Sequence, residues 1–419
     1  MIDNTQTKQR AVAAAVDTGE YDVEASVQEL YELIESAGAE AVGYVIQKRD
    51  TPDGATCIGS GRLEELREFA EAQEIDFLVF DSELTPTQIR NIEEATGVRT
   101  IDRTMLILDI FALRARTNEG KLQVELAQLQ YLLPRLTGKG REMSRLGGGV
   151  GTRGPGETKL ETDKRHIRRR LNALKEELSH VADRREQLRT RRKKDGIITI
   201  AIVGYTNAGK STLMNTLTQA GVLSEDKLFA TLDPTSRALT LPGGMSVMLI
   251  DTVGLVRRLP HHLVEAFRST LEEAALADVI LNVCDASSPE YRLHLSVTDQ
   301  LLRDLGCTET PILSVFNKCD LVQDPQDLPR MSGSVCICAK TGEGVPELLH
   351  KIEENLPVRL KAFRVLLPFS EAGRIARLRS SGALRSEEYT ENGILITAVA
   401  EQAQWHLLEP FPEVKETYN

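Results

Sequence analysis

The chain lacks any long hydrophobic segment. None of its apolar runs reaches the ~18 residues of a membrane-spanning helix. Its first residues, Met1-Ile-Asp-Asn-Thr5, are polar and unlike a secretory signal peptide. We therefore expect a cytoplasmic protein with no membrane span. A length of 419 residues predicts about two to four domains, each able to bury its own core.

Cysteine and histidine are few, and they are not spaced like metal ligands. The six cysteines show no C-x-x-C pair, so we expect reduced thiols rather than disulfides. The seven histidines, including the pair His261-His262, also lack ligand spacing. We therefore expect no bound metal other than Mg²⁺ and, as argued below, K⁺.

What the chain does contain is a glycine-rich segment that follows the apolar run 197–203. The segment reads Gly204-Tyr-Thr-Asn-Ala-Gly-Lys-Ser-Thr212, the strand-loop-helix pattern of a phosphate cradle. Gly204 and Gly209 let backbone N–H groups face the phosphates, Lys210 can reach the β- and γ-phosphates, and Ser211 can offer a hydroxyl to Mg²⁺. The predicted nucleotide contacts in this segment are Gly204, Tyr205, Thr206, Asn207, Ala208, Gly209, Lys210, Ser211 and Thr212.

A second strand-like run ends in Asp251-Thr-Val-Gly254. Asp251 would hold the Mg²⁺ through water, and Gly254 could donate its N–H to the γ-phosphate. We therefore predict Lys210 and Gly254 as catalytic residues, and Ser211 and Asp251 as magnesium ligands.

Two further segments select the base. The run 312–316 leads into Asn317-Lys-Cys-Asp320, where the Asp320 carboxylate can accept the N1–H and 2-amino donors of guanine. Adenine would leave that carboxylate partly unpaired, so GTP is favoured. Downstream, Cys338-Ala339-Lys340 fits the loop that contacts the guanine O6. The predicted base contacts are Asn317, Lys318, Asp320, Cys338, Ala339 and Lys340.

The net charge of −11 argues against nonspecific nucleic-acid binding by the whole molecule, but the charge is unevenly placed. Residues 159–194 are dense in Lys and Arg. The apolar residues of this segment recur at helical a/d-type spacing and form a stripe that we call the seam. A matching seam precedes it, with Pro134 ending or bending that helix. The two helices predict an antiparallel hairpin, with ordinary solvated helices as the alternative. The seam positions are Leu122, Leu126, Leu129, Leu133 and Leu136, then Leu160, Ile167, Leu171, Leu174, Leu178, Val181 and Leu188.

The connection between these helices, residues 137–157, is rich in glycine and basic. Its cations are Lys139, Arg141, Arg145 and Arg153. A flexible linker is the alternative, but Gly/Ser linkers seldom carry interspersed arginines. A pliable basic tip suits contact with folded RNA, so we predict that these four residues bind rRNA.

The remaining pattern is of mixed α/β type. Upstream, runs at 41–46, 76–80 and 99–102 look like strands separated by amphipathic helices at 27–36, 63–74 and 85–94, which predicts a small parallel sheet. Residues 1 to about 22 are polar and alanine-rich, and we expect a frayed or helical tail. Past Pro357, residues 363–367, 371–380 and 394–398 predict a small α+β appendage.

These features predict five parts within an α/β protein. They are an N-terminal tail (1–23), an N-terminal α/β subdomain (24–115), the hairpin with its tip (116–194), a P-loop GTPase domain (195–358) and a small α+β C-terminal domain (359–419).

Six further segments are more specific than the nucleotide motifs. They are Gly59-Ser-Gly-Arg62, Phe80-Asp-Ser-Glu-Leu-Thr-Pro86, Ile101-Asp-Arg-Thr-Met-Leu-Ile-Leu-Asp-Ile-Phe111, Glu119-Gly-Lys-Leu-Gln-Val-Glu-Leu-Ala-Gln128, Ser144-Arg-Leu-Gly-Gly-Gly-Val-Gly-Thr-Arg-Gly-Pro-Gly-Glu157 and Phe229-Ala-Thr-Leu-Asp-Pro-Thr235. Through these segments the chain resembles the HflX family, in the Obg-HflX branch of P-loop GTPases, over most of residues 24–345. The resemblance implies binding to the large ribosomal subunit, nucleotide-dependent dissociation of stalled or idle ribosomes, and a hairpin that reaches toward the peptidyl-transferase region.

The resemblance also places the first switch at residues 229–236. It adds Phe229, Ala230 and Thr231 to the nucleotide contacts, with Thr231 as the hydroxyl that senses Mg²⁺ and the γ-phosphate and as a third catalytic residue. Thr235 is the alternative. Loss of the γ-phosphate would release this loop and couple hydrolysis to partner affinity.

Catalysis departs from the Ras pattern, because Leu255 stands where a glutamine would orient the attacking water. We therefore expect slow intrinsic turnover. Arg257 and Arg258 could act as an arginine finger in cis, or make a surface or ribosome contact. Asn207 could be a turn residue only, or its carbonyl oxygen could hold K⁺ beside the phosphates.

The sequence thus predicts a monomeric GTP-hydrolysing switch that binds the large ribosomal subunit and dissociates ribosomes. Two alternatives stay open: a GTPase factor in large-subunit assembly, and an RNA-binding module with a purely regulatory GTP site.

Overall fold

The computed structural model describes residues 8–136, 155–194, 197–218, 228–229, 235–258, 273–307, 310–324, 327–328, 331, 333–356, 360–380 and 382–412. These residues divide into two compact units. The first contains 8–136, 155–189, 228–229 and 253–258, and the second contains the rest. The finer division at residues 23, 115, 194 and 358 stays a prediction.

The first unit is built on a four-stranded sheet in the order β2-β1-β3-β4. Every neighbouring pair is parallel, which confirms the predicted parallel sheet. Helices alternate with the strands because a parallel pair needs a crossover connection. The elements are β1 (Arg10–Asp17), α1 (Val23–Ser36), β2 (Glu40–Lys48), α2 (Ser60–Ala72), β3 (Phe77–Phe80), α3 (Pro86–Thr96), β4 (Arg99–Asp102) and α4 (Arg103–Arg114).

The expectation of a frayed or helical tail is wrong for Arg10–Asp17. This segment is β1, an interior strand that pairs with both β2 and β3. Residues 11–16 are at most 2 % exposed, and the sheet core extends on both faces of the strand. Alanine favours helices in isolation, but here pairing and burial on both faces override that weak preference.

The predicted helical hairpin is present as α5 (Asn118–Arg135) and α6 (Pro155–Lys194), which lie in the first unit except for residues 190–194. Helix α5 ends just after Pro134, as expected. Glu119 contacts Arg185 and Glu125 contacts Arg170, so the helices run antiparallel. The leucine seam packs between them, but Leu188 is 52 % exposed and lies beyond the packed part. The seam residues in contact are Leu122, Leu126, Leu129, Leu133, Ile167, Leu171, Leu174 and Leu178.

The second unit is centred on a six-stranded sheet in the order β10-β9-β8-β5-β7-β6. Only β6 runs antiparallel to its neighbour, so the carboxyl ends of the other five strands meet at one edge. Ligands bind at that edge in open α/β sheets. The elements are β5 (Thr199–Gly204), α7 (Lys210–Thr218), β6 (Thr235–Thr240), β7 (Ser246–Asp251), β8 (Val279–Asp285), α8 (Tyr291–Asp304), β9 (Ile312–Asn317), β10 (Val335–Cys336) and α9 (Val345–Glu354).

A small α+β domain follows, as the sequence predicts. Its antiparallel sheet has the order β11-β13-β12, and α10 (Ala372–Ser380) packs against it. The strands are β11 (Leu360–Leu367), β12 (Leu384–Thr390) and β13 (Gly393–Glu401). The sequence analysis missed β12, which is an edge strand with a mostly exposed polar sequence. Among all described residues, no helix combines the length and apolar character needed to cross a membrane.

Candidate functional site

The predicted phosphate loop lies at the carboxyl end of β5, and two of its glycines are required by close packing. Gly204 has φ +148, and a Cβ there would lie 2.1 Å from the carbonyl oxygen of Val283. Gly209 has φ +88, and a Cβ there would lie 2.2 Å from the Asn317 side-chain nitrogen. Side chains at these positions would collide with the neighbouring strand ends, so glycine allows the loop to form.

Lys210 is the first residue of α7 and its ammonium is buried against the loop. Its Nζ donates to the carbonyl oxygens of Gly204 (3.1 Å) and Tyr205 (2.8 Å). Burial lowers the pKa of Lys210 to about 8, although the nearby Asp251 carboxylate opposes that shift. The cation is thus desolvated, and among the described residues Asp251 is the anion that lies near it, which suits it to a further anionic ligand.

Ser211 and Asp251 come together although they are 40 residues apart in sequence. The Ser211 hydroxyl donates to Asp251 Oδ2 at 3.1 Å, and Asp251 is only 2 % exposed. A hydroxyl and a carboxylate side by side are the oxygen donors that Mg²⁺ prefers. The pair therefore fits the predicted magnesium site.

Asn317 joins the phosphate loop to the predicted base loop. Its side-chain NH₂ donates to Ala208 O at 2.8 Å, and its Oδ1 accepts from the Ala339 N–H at 2.9 Å. Because Asn317 is 2 % exposed, these hydrogen bonds are shielded from water. One amide therefore fixes two loops that the sequence predicts to touch opposite ends of the nucleotide.

The other predicted base contacts surround this amide. Asp320 is exposed in a 3₁₀ turn, Cys319–Leu321, so its carboxylate is accessible to a ligand. Lys318 has φ +61 and pairs with Asp285 at 2.8 Å. Cys338 and Ala339 are buried and Lys340 is exposed. The Cys338 N–H donates to Glu343 O at 3.0 Å, which closes the loop on itself.

The sequence analysis missed two residues of this site. Asp285, at the end of β8, accepts from Ser287 N (2.9 Å) and Ser287 Oγ (2.6 Å) as well as from Lys318. His294 of α8 stacks on Tyr205, with ring centroids 3.9 Å apart and planes 15° apart. An acidic residue that ends a buried strand was a usable signal for Asp285. No local pattern links His294 to residue 205.

Among the described residues of the first switch, Phe229 belongs to the first unit, whereas Thr235 and Ser236 begin β6 in the second unit. Phe229 is 2 % exposed and makes an edge-to-face contact with Phe111, with centroids 4.6 Å apart. The Leu228 N–H donates to the Ser36 hydroxyl at 3.0 Å. Predicted contact residue Phe229 is thus a core residue of the N-terminal unit.

The residues after Asp251 also join the first unit. Gly254 and Leu255 are buried, while Val253 and Val256 belong to its hydrophobic core. Arg257 pairs with Glu29 at 3.3 Å, so it is not a surface residue.

Arg258 enters the same acidic cluster of the first unit. It contacts Asp81, donates to the Ser26 hydroxyl at 2.7 Å and covers the Tyr21 ring at 4.0 Å. Asp81 also pairs with Arg103, at 2.9 Å, and Arg103 contacts Glu29. Burial alone would raise the pKa of Asp81, but Arg103 and Arg258 together lower that pKa below its usual range. We call Glu29, Asp81, Arg103, Arg257 and Arg258 the switch charge cluster.

Several predicted residues lie outside the described part of the chain. They are Ala230 and Thr231 of the first switch and the tip cations Lys139, Arg141, Arg145 and Arg153. The alternative Thr235 is described: it begins β6, and its register partner in β7 is Asp251.

Three family models match successive stretches of the chain. Residues 24–112 match "GTP-binding GTPase N-terminal", residues 114–192 match "GTP-binding GTPase Middle Region", and residues 199–318 match "50S ribosome-binding GTPase".

Two curated relatives cover nearly the whole chain. The GTPase HflX of Caldanaerobacter subterraneus subsp. tengcongensis is 49% identical over 399 residues, which is 95% of this chain and 92% of the relative. The GTPase HflX of Escherichia coli strain K12 is 40% identical, over 94% of this chain and 93% of the relative. A solved GTP-binding protein of Sulfolobus solfataricus with GDP is 26% identical over 83% of this chain and 98% of that chain, with a TM-score of 0.45.

Proposed function

We propose that this chain, which belongs to the HflX family and is a GTPase, binds the large ribosomal subunit when loaded with GTP and dissociates stalled or idle ribosomes. Family membership and GTP hydrolysis follow from the similarity over almost the whole chain. The ribosome as partner, the cytoplasm as location and the monomeric state are part of the proposal.

The observation that carries the ribosome proposal is the basic face of α6. Arg165, Arg168 and Arg169 are exposed, and among the described side chains none forms an ion pair with them. They lie in the part of α6 nearest in sequence to the basic segment 137–157. Unpaired guanidinium groups on a helical arm can bind phosphates, and arginine also stacks on unstacked bases. The description of the matched family as 50S-binding supports the same partner.

On the nucleotide side, we assign a task to each of the main predicted residues. Lys210 would exchange two carbonyl partners for the β- and γ-phosphates, and Asp320 would accept both guanine donors. Ser211 and Asp251, with Thr231, would hold Mg²⁺, which when bound offsets the negative charge of the phosphate oxygens. Gly254 would offer its backbone N–H to the γ-phosphate.

Hydrolysis itself needs a group other than Leu255 to stabilise the transition state, because an alkyl side chain can neither orient water nor offset charge. Asn207 is exposed in the phosphate loop, so its side chain is accessible to a ligand, and its φ of +59 also fits the alternative of a turn residue. Its side-chain carbonyl oxygen would hold K⁺ and so add positive charge beside the β- and γ-phosphates.

The potassium proposal has a direct test. GTP hydrolysis should be faster in KCl than in NaCl at equal ionic strength, and Asn207→Ala should remove that difference while GTP still binds. Equal rates of the unsubstituted protein in the two salts would leave Asn207 as a turn residue only.

Sucrose-gradient sedimentation tests the ribosome proposal. Intact ribosomes incubated with the protein and GTP or a nonhydrolysable analogue should separate into subunits, and GDP should have no such effect. Binding only to immature large subunits would favour the assembly factor. RNA binding without any change in sedimentation or hydrolysis would favour the regulatory RNA-binding module.

The tip residues can be separated from the chemistry in the same assay. Arg145→Ala with Arg153→Ala should weaken ribosome association and reduce its dependence on salt, while intrinsic hydrolysis stays unchanged. The matched control replaces Arg67 and Arg90, which form ion pairs with Glu64 on α2 and Glu94 on α3. Equal binding of the tip variant and the control at two salt concentrations would contradict an rRNA-binding tip.

A further inference from the structure

Two cysteines face each other at the predicted guanine loop. Strands β9 and β10 pair in parallel, and the register partner of Cys336 is Phe316. Just past this pair, the Ile337 N–H donates to Phe316 O at 2.7 Å and the Cys319 N–H donates to Ile337 O at 3.2 Å. The backbone thus places Cys319 beside the segment that contains Cys336.

The side chains complete this arrangement. The Cys319 thiol donates to Phe316 O at 3.2 Å, and Phe316 is the register partner of Cys336. Both pack against one hydrophobic cluster that also contains Phe316 and Tyr291. Both residues are partly exposed, whereas Cys57, Cys284, Cys307 and Cys338 are buried.

We propose that Cys319 and Cys336 are a modification site: a dithiol that a small-molecule disulfide converts reversibly into a disulfide, with loss of guanine-nucleotide affinity. One thiolate attacks the reagent and releases one small thiol, leaving a mixed disulfide. The second thiolate then displaces the other small thiol. The two cysteines lose two protons and two electrons, and the reagent is reduced to two thiols.

The position of the pair explains the loss of affinity. Cys319 directly precedes Asp320 in the 3₁₀ turn Cys319–Leu321, and Cys336 lies two residues before Cys338. A disulfide bond is shorter than a contact between two thiols, so its formation pulls the turn toward β10. Asp320 then moves away from the position that the guanine donors require. This step rests on the proposed role of Asp320 in guanine recognition.

The reaction should also depend on pH. Burial, and to a smaller extent the nearby Cys336, raises the pKa of the Cys319 thiol to about 12. Its thiolate fraction therefore rises roughly tenfold for each pH unit between 7 and 10, and closure of the bond should accelerate accordingly. Bound nucleotide, by holding the turn in place, should slow the closure.

The test uses the whole protein treated with oxidised glutathione, without ribosomes. Peptide mapping by mass spectrometry under non-reducing conditions identifies the bond, and titration with a fluorescent GDP analogue gives the affinity. We expect a peptide linking Cys319 to Cys336 and at least a tenfold loss of affinity that dithiothreitol reverses. Cys336→Ser should abolish both effects, and Cys336→Ala provides a second variant. Cys307→Ala, which alters a different hydrophobic cluster, should retain both.

The outcomes are distinguishable. Absence of the linked peptide at pH 9 would overturn the proposed modification site. Formation of the linked peptide with unchanged affinity for the GDP analogue would overturn the proposed effect of the disulfide on nucleotide binding. An equal loss of affinity in the oxidised Cys336→Ser variant would overturn that effect too. None of these results bears on ribosome dissociation, which the sedimentation assay tests separately.

Discussion

The nucleotide loops of the second unit and the switch segments of the first unit are held by different kinds of contact. The phosphate loop depends on backbone close approach at Gly204 and Gly209 and on one buried amide, Asn317. The switch segments depend on side chains from distant parts of the sequence: Arg258 reaches Asp81, 177 residues earlier, and Phe229 packs on Phe111. The phosphate loop is therefore held by backbone packing and by an amide from a segment 109 residues away, whereas the described switch residues of the first unit are held by side-chain packing and charge pairs.

This difference predicts that the phosphate loop tolerates no added atoms. In Gly204→Ala, the new Cβ would meet Val283 O at 2.1 Å and the backbone would keep φ +148. We expect a loss of about 4 kcal/mol or more in the free energy of unfolding, together with loss of GTP binding. Urea denaturation and calorimetric GTP titration measure the two effects.

Gly373→Ala is the matched control, because it adds the same atom to α10 at a position where, apart from the adjacent helix backbone, no described atom lies within 4 Å. It should raise stability by about 0.5 to 1 kcal/mol. A Gly204→Ala protein as stable as this control would show that close packing does not fix the loop.

A substitution in the switch charge cluster should destabilise the protein because buried charges lose their partners, and not because added atoms collide. Asp81→Ala leaves Arg103 with one fewer carboxylate, and Arg258 loses its contact with Asp81. Because Asp81 and Arg103 are buried, we expect a loss of about 3 kcal/mol in the free energy of unfolding of the first unit. Urea denaturation followed by circular dichroism measures it.

Glu64→Ala gives the comparison for the charge cluster, since it breaks an exposed pair with Arg67 on α2. It should cost less than about 1 kcal/mol. Similar costs for the two variants would mean that buried charges do not hold the switch residues.

Base recognition offers a smaller effect that leaves the fold intact. In Asp320→Asn, an acceptor of the guanine donors becomes partly a donor, so GTP affinity should fall by about 2 kcal/mol, about 30-fold. Xanthosine triphosphate has an acceptor in place of the 2-amino donor of guanine. The affinity of the Asp320→Asn variant for this nucleotide should therefore fall much less than its affinity for GTP. Competition titrations with both nucleotides check this, and unchanged GTP affinity would remove Asp320 from base selection.

The smallest predicted effect is a pH dependence of GTP affinity. Burial lowers the pKa of Lys210 to about 8 in the free protein, and phosphates would raise it again on binding. GTP therefore binds the protonated lysine, and affinity should be constant below pH 8 and fall above it. We expect about a tenfold loss, about 1.4 kcal/mol, between pH 7 and pH 9.

Isothermal titration of GTP at several pH values measures this effect. A GTP affinity that is constant to pH 9.5 would contradict a deprotonating Lys210.

Sequence reasoning worked where a motif needs only its own neighbours. The phosphate loop, the Asp251 strand end and the Asn317 segment are set by glycine freedom, strand burial and short polar turns, and the structure places all three in the second unit. The reasoning failed at β1, where an alanine-rich segment became an interior strand because burial outweighed local preference.

The sequence by itself determined the GTPase motifs, the alternating strands and helices, and the leucine seam of the hairpin, because each follows from residues near one another in the chain. Only the tertiary structure decided what Arg257, Arg258 and Phe229 contact, and that Cys319 meets Cys336. Those partners belong to segments far apart in sequence, and no local pattern specifies which buried charge, ring or thiol will face another. Packing and charge compensation within each folded unit determine which of these distant residues come into contact.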